Sequence, residues 1–412
     1  MKATPGKLAA DRAVNFINHL THTKGQKWAG KPFQLRPWQE HKIIRPLFGT
    51  LNEDGLRQYR TCYVMLPRKN GKSELAAALS LYFLLAENEP GGEIYSAAAE
   101  RDQAALVFDV AAQMVRNDCE LSEACKIIDS QKRIVNYKTG SFYRALSAEA
   151  HTKHGYNASC VIYDEVHTAP NRELWDVLRT SMGARDQPLM FAITTAGFEK
   201  HSLERELFDY SLKVLDGSVP DKTFLPVLYY APDDADWTDE EVWAKANPAL
   251  EDFRNIDEMR MLCREAQQMP SEENTFRRLY LCQHTEQETR WFSMDTWNAC
   301  EGALDPESLK GQRCFAGLDL SSVSDITAFV LYFPDSHAVL CWFWVPGDNV
   351  RKRANKDRVP YDVWIREGFI TATDGSEVDQ GFIRQKIVEL SREYYIEQIA
   401  RDRWNASYST TH

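Results

Sequence analysis

The chain has 412 residues, a formal net charge of −11, 43% apolar and 26% charged residues. At roughly 100–200 residues per domain this suits two or three domains with their own cores, and the 11 Trp, 17 Tyr and 19 Phe exclude a disordered chain. The acidic balance excludes a uniformly basic nucleic-acid binder. No run approaches the roughly 20 apolar residues that span a bilayer. The longest, residues 75–86, is too short, and the first residues hold no signal-peptide core.

A cytosolic protein is therefore expected. The nine Cys form no C-x-x-C pair and read as free, mostly buried thiols.

Residues 1–58 read as a helical lead-in that carries the turn Leu35-Arg36-Pro37-Trp38-Gln39. Residues 59–200 alternate apolar strands, at 61–65, 93–97, 159–163 and 189–194, with helices at 73–86 and 102–115. Continuous apolar strands alternating with helices predict an α/β domain whose parallel sheet is covered on both faces. Residues 201–300 read as a helical linker, with a capping box at Thr238-Asp239-Glu240-Glu241 and a helix start at Pro270-Ser271-Glu272-Glu273. In residues 301–412 the runs 315–320, 328–333 and 339–345 read as strands, the first two joined through the turn 321–325. The basic run 351–358 reads as a solvated loop.

Strand 61–65 runs into Leu66-Pro67-Arg68-Lys69-Asn70-Gly71-Lys72-Ser73 and then a helix. Strand, tight loop and helix are the context of a phosphate-binding P-loop, in which backbone N–H groups and the helix N-terminus hold phosphate oxygens. Lys72 would reach the β- and γ-phosphates of ATP and the Ser73 hydroxyl would bind Mg²⁺. Leu66 stands where the first glycine of G-x-x-x-x-G-K-S is usual, while Arg68 and Lys69 add positive charge to the loop. The strand 160–163 ends in Asp164-Glu165, and paired acids at a buried strand end need a reason. Asp164 would hold Mg²⁺, and Glu165 would orient and deprotonate the attacking water. The Gln39 amide suits an adenine edge, and Thr194 and Thr195 would set hydroxyls beside the γ-phosphate. Arg101, Arg144, Lys153, Arg179 and Arg185 are all candidates for an arginine finger.

A second acidic group follows. Asp319 ends a strand-like run, Asp325 comes six residues later, and Asp402 follows the apolar stretch 395–400. Carboxylates at neighbouring strand ends are what a two-metal phosphodiester nuclease uses to hold Mg²⁺ or Mn²⁺ about 4 Å apart. Such a site usually has three or four acids, and the sequence ends ten residues after Asp402.

Together these motifs, with Thr194-Thr195-Ala196-Gly197, Phe276-Arg277-Arg278-Leu279-Tyr280, Gly317-Leu318-Asp319 and Asp402-Arg403-Trp404, resemble the large terminase subunit of tailed bacteriophages. The resemblance covers essentially the whole chain, and Leu66 in the P-loop is usual in that family. It implies an N-terminal P-loop ATPase of the additional-strand, catalytic-glutamate type, and a ribonuclease H-like nuclease incomplete at its C-terminus, either because the 412 residues are a fragment, the favoured reading, or because the nuclease lacks its last acid and is weak. It implies a motor that hydrolyses ATP to drive double-stranded DNA into a procapsid and cuts concatemers. Lys72 and Ser73 would be Walker A residues, Asp164 the Walker B acid and Glu165 the catalytic glutamate. Thr194 and Thr195 would couple hydrolysis to motion, and Asp319, Asp325 and Asp402 would be nuclease metal ligands. The implied partners are DNA, a portal protein, a small terminase subunit and further copies in a ring. The implied location is the host cytoplasm, docked transiently on the procapsid and absent from the mature virion. A helicase or restriction-type translocase shares the Gln-bearing turn and the Asp-Glu pair but carries a second helicase-like domain. A non-enzymatic scaffold has no use for intact Lys72, Asp164 and Glu165.

Overall fold

The computed structural model describes residues 3–146, 155–198, 202–285, 299, 304–321, 325–348, 350, 353–354 and 359–401. The chain divides into two compact units, Met1–Ser293 and Met294–His412.

In the first unit the lead-in folds as α1 (Pro5–His19), α2 (Pro37–Gln39), a π-helical turn (Glu40–Ile44) and α3 (Arg45–Gly49). The strands are β1 (Thr61–Met65), β2 (Glu93–Ala97), β3 (Cys125–Ile128), β4 (Arg133–Asn136), β5 (Phe142–Ala145), β6 (Ala158–Asp164), β7 (Leu189–Thr194) and β8 (Phe224–Leu228). Between and after them run α4 (Lys72–Leu85), α5 (Arg101–Arg116), α6 (Cys119–Ala124), α7 (Glu173–Thr180) and α8 (Leu203–Leu215). The helices α9 (Glu240–Ala246), α10 (Ile256–Gln268) and α11 (Pro270–Leu281) close the unit.

These strands form one sheet in the order β3-β4-β5-β2-β6-β7-β1-β8. The six strands from β5 to β8 are parallel, and β3 and β4 add an antiparallel edge. β7 lies between β1 and β6, which is the additional-strand arrangement. Every residue of β6 and β7 is buried, as expected of parallel strands covered on both faces. Alternate residues of β1 serve opposite cores. Cys62 and Val64 join α4 and α5 on one side, while Tyr63 and Met65 join α7 and α8 on the other. α4 is apolar all round and buried from Leu75 to Leu84, because it packs against β2, β6 and α5.

The region 201–300 is less uniformly helical than its sequence suggests. β8, Phe224-Leu225-Pro226-Val227-Leu228, pairs in parallel with β1. Pro226 hides the strand signal, yet it is tolerated because β8 is the edge of the sheet. The α9 cap is Asp239, whose side chain accepts from the Glu241 N–H, rather than Thr238.

The second unit holds β9 (Arg313–Asp319), β10 (Thr327–Phe333), β11 (Ala338–Pro346), β12 (Thr371–Thr373) and β13 (Tyr395–Arg401), with helices α12 (Tyr361–Arg366) and α13 (Gln380–Glu393). The strand order is β12-β11-β10-β9-β13. β9, β10 and β11 form an antiparallel meander, and β13 returns parallel to β9, an order consistent with the ribonuclease H-like fold. Its core gathers Phe329, Leu331, Phe333 and Trp344 with Ile383 and Leu390 of α13. The eight described cysteines are free, and Cys119 and Cys341 are exposed. Among the described residues no helix is long and apolar enough to cross a membrane.

Candidate active sites

The carboxyl ends of the parallel strands β1, β6 and β7 meet at one edge of the sheet, the usual ligand edge of an open α/β fold. At the end of β1 the Leu66 N–H donates to the Thr194 carbonyl of β7 at 2.9 Å. The chain then turns through Lys69 and Gly71, both at positive φ, 67° and 78°. Gly71 caps α4, and a Cβ there would lie 3.4 Å from the Phe253 ring and 3.8 Å from Gln39 Nε2. Conformation and space both ask for glycine. The N–H groups of Lys69, Asn70 and Gly71 donate to no described residue. Successive unspent N–H groups at a helix N-terminus form a concavity for anions.

Lys72, the first residue of α4, is buried. Its Nζ donates to the Leu66 carbonyl at 3.0 Å and lies 4.0 Å from Glu165 Oε1. Ser73 follows it, half-buried, while Arg68 and Lys69 are exposed on the loop. Asn70 is fully buried. Its Nδ2 donates to the carbonyls of Pro67 and Arg68 and to Asn247 Oδ1 at 3.2, 3.3 and 3.0 Å.

Asp164 ends β6 at 5% exposure, its Oδ1 accepting from the Glu165 N–H at 3.0 Å. Glu165 adopts a left-handed backbone, φ 52°, a conformation that costs a non-glycine residue about 1–3 kcal/mol and recurs at functional sites. Burial and the neighbouring Glu165 charge push the Asp164 carboxyl up to about 7, against the pull of Lys72. Burial raises Glu165 too, but the His167 ring and the Lys72 ammonium outweigh it and hold its carboxyl at about 2. Two adjacent acids are thereby driven apart. His167 Nδ1 is 3.1 Å from Glu165 Oε2.

The same histidine ties the acids to β7. Its backbone N–H donates to Thr194 Oγ1 at 3.0 Å, and its ring lies 3.1 Å from Thr194 Oγ1 and 3.2 Å from Thr195 Oγ1. Below them Glu204, fully buried on α8, accepts from Tyr63 Oη (3.2 Å) and the Gly197 N–H (3.0 Å) and pairs with His284 Nε2 (3.1 Å). The loop after β7 is thus anchored to β1 and to the chain beyond α11.

Gln39 is buried at the turn opening α2, where its Oε1 accepts from the Arg36 N–H at 2.9 Å. The oxygen is spent on the turn, and Nε2 faces Gly71. Arg36 pairs with Asp252 at 2.6 Å, so the Gln-bearing turn, the phosphate loop and residues 252–253 surround one region.

Among the arginine-finger candidates, Arg144 is exposed on β5. Arg179 and Arg185 line a cavity of about 750 Å³ with Arg60, Thr61 and Phe224, at the amino ends of β1 and β8. That is the edge opposite Lys72. Arg185 is bound to Glu89, Gly91 and Asn157. Lys153 and the Arg101 side chain lie outside the described residues.

In the second unit Asp319 closes β9, exposed and in register with Ala328. The Asp325 N–H donates to Ser321 Oγ and the Ser321 N–H to Thr327 Oγ1, both at 3.0 Å, so the turn returns Asp325 toward that strand end. β13 ends at Arg401, in register with Leu318. Asp402 lies outside the described residues, as does most of the basic run 351–358. Among the described residues no three acids, histidines or cysteines form a metal-holding group.

For Mg²⁺ at the first site, Ser73 and Asp164 could supply hard oxygen donors. One or two protein ligands plus phosphates suit Mg²⁺. Sequence reasoning missed His167, Glu204, Asn247 and Arg254. Only His167, two places after Glu165, left a local signal.

Models of the terminase large subunit match both parts of the chain, its ATPase domain at residues 37–213 and its endonuclease domain at residues 218–412. The large terminase subunit of Enterobacteria phage HK97 is 33% identical over 400 residues, covering 96% of this chain and 77% of that protein. Its crystal structure superposes with a TM-score of 0.59 at 31% identity, over 97% of this chain and 81% of that one. The protein YmfN of Escherichia coli K12 is 30% identical over 251 residues, 56% of this chain and 54% of its own length.

Proposed function

The chain belongs to the terminase large-subunit family, and from that premise we propose how its residues divide the work of an ATPase and endonuclease in a viral DNA-packaging motor. The single observation that carries the reading is the convergence of the Lys69–Gly71 N–H groups, Lys72, Asp164 and Glu165 at one sheet edge. The loop N–H groups and the α4 N-terminus receive the ATP phosphates, with Arg68 and Lys69 adding charge at the rim. Lys72 leaves the Leu66 carbonyl and Glu165 to take the β- and γ-phosphates. Ser73 and Asp164 hold Mg²⁺, which when bound neutralises charge on the phosphate oxygens. Glu165 orients the attacking water and accepts its proton. Gln39 takes the adenine edge through Nε2. Thr194 and Thr195, joined to Glu165 through His167, carry the change at the γ-phosphate into β7.

In the second unit Asp319, Asp325 and Asp402 would hold two Mg²⁺ or Mn²⁺ ions, which supply an activated water and steady the leaving oxygen. Asp319 and Asp325 at one strand end support this assignment. Double-stranded DNA is the substrate gripped through its phosphates without regard to sequence. A portal protein, a small terminase subunit and further copies in a ring are the partners, in the host cytoplasm. The helicase reading is not favoured, because residues 218–412 match an endonuclease.

Glu165→Ala tests the reading. Nucleotide binding should persist while ATP hydrolysis falls by about 10²–10⁴, the usual contribution of a positioned general base. Hydrolysis at the native rate by the variant would remove Glu165 from its role.

A further inference from the structure

Arg254 is 2% exposed and, among the described residues, has no carboxylate partner within hydrogen-bond reach. Its Nη1 donates to the Arg68 carbonyl of the phosphate loop and to Asn247 Oδ1 at 2.8 Å. Its charge stacks on the Tyr280 ring at 5.2 Å, and among the described residues Nε and Nη2 have no hydrogen-bond partner. Burial lowers its pKa to about 10. A buried cation this poorly compensated is costly to the fold. It stays one carbonyl behind the loop that binds phosphate.

Its neighbours keep it there. Asn247, the C-cap of α9, is buried and donates to the carbonyls of Trp243 (3.1 Å) and Tyr280 (2.9 Å), which turns its oxygen toward Arg254 and Asn70. Asn70 Oδ1 accepts from the Ala249 N–H at 3.1 Å, and the Arg68 N–H donates to Leu279 at 2.8 Å. Residues 247–254 and 279–280 therefore hold the loop from outside. In a trans peptide the carbonyl and the following N–H point opposite ways. Tying the Arg68 carbonyl to Arg254 thus aims the Lys69 N–H away from it, on the side where the unspent N–H groups begin. Leu66 stands where the loop's first glycine is usual, and the grip of residues 247–254 and 279–280 constrains the loop from the other side.

We propose that Arg254, oriented by Asn247, is a positioning residue for the nucleotide phosphates: it fixes the Arg68–Lys69 peptide and places a buried positive charge behind the anion. The proposal rests on the loop being the ATP site. It differs from a structural role in a measurable way. The Arg68 carbonyl and Asn247 Oδ1 each keep a second donor in Asn70, so an apolar side chain of similar length should be tolerated by the fold.

The test uses the full chain with Arg254→Met and Arg254→Lys, titrated with MgATP and with adenosine, alongside thermal melting. The methionine variant should melt no lower than the native chain and bind MgATP about tenfold more weakly, a change of about 1.4 kcal/mol. Adenosine, which has no phosphate, should bind unchanged, and the lysine variant should recover most of the loss. Native MgATP affinity in Arg254→Met, equal weakening of adenosine, or failure of the methionine variant to fold would each overturn the proposal. Lys72→Ala is the separate control. If it binds MgATP like the native chain, the loop is not the ATP site and that reading fails whatever Arg254 does.

Discussion

Replacing Asp164 by Asn should stabilise the chain while disabling its ATPase. The Asp164 carboxyl is displaced upward from 3.8 to about 7 because it is buried beside Glu165. An acid whose folded pKa is raised destabilises the fold wherever it is ionised. The penalty is absent below about pH 4, grows between pH 4 and 7 as the unfolded chain ionises first, and is complete above pH 7. Three units at 1.36 kcal/mol each give a ceiling of about 4 kcal/mol. Asn removes the charge and keeps an oxygen for the Glu165 N–H. At about 2 °C per kcal/mol for a unit of this size, melting should rise by up to about 8 °C at pH 8. The assay is thermal melting of the nucleotide-free, chelator-treated chain from pH 5 to 8. MgATP should then stabilise the native chain and have far less effect on the variant. An Asp164→Asn chain that melts at or below the native one at pH 8, or by a margin that does not grow from pH 5 to 8, would refute the account of this carboxylate.

Three further outcomes follow from the same geometry. His167→Ala frees Glu165, Thr194 and Thr195 from one another, so kcat for ATP should fall about tenfold with KM little changed; a rise in KM at constant kcat would place His167 in binding instead. Asp319→Ala should abolish Mn²⁺-dependent plasmid cleavage while ATP turnover persists, and equal cleavage by both chains would remove Asp319 from the nuclease site. Glu204→Ala leaves Tyr63, the Gly197 N–H and His284 without their shared acceptor. Denaturant unfolding should show a loss of about 3–5 kcal/mol, the cost of breaking a buried pair from one side, and a loss under 1 kcal/mol would show that the cluster finds other partners.

The sequence by itself carried the elements whose chemistry is local. Apolar runs at 61–65, 159–163 and 189–194 are strands because central parallel strands are buried on both faces. Gly71-Lys72-Ser73 and Asp164-Glu165 stand out in the sequence because a phosphate needs N–H groups and a metal needs oxygens at strand ends, and the proposed ATP site is built on them. β8 was hidden by Pro226, whose tolerance depends on its place at the sheet edge.

What only the tertiary structure decided is which distant groups the site uses. Asn70 meets Asn247, Arg68 meets Arg254, and Glu204 meets His284, across about 80–190 residues of chain. No periodicity records such pairs, because a hydrogen bond between buried side chains depends on where helices dock and not on spacing along the sequence. The phosphate loop shows both halves of the lesson. Its residues announce an anion site, but the contacts that fix its backbone come from residues 247–254 and 279–280, nearly two hundred residues away.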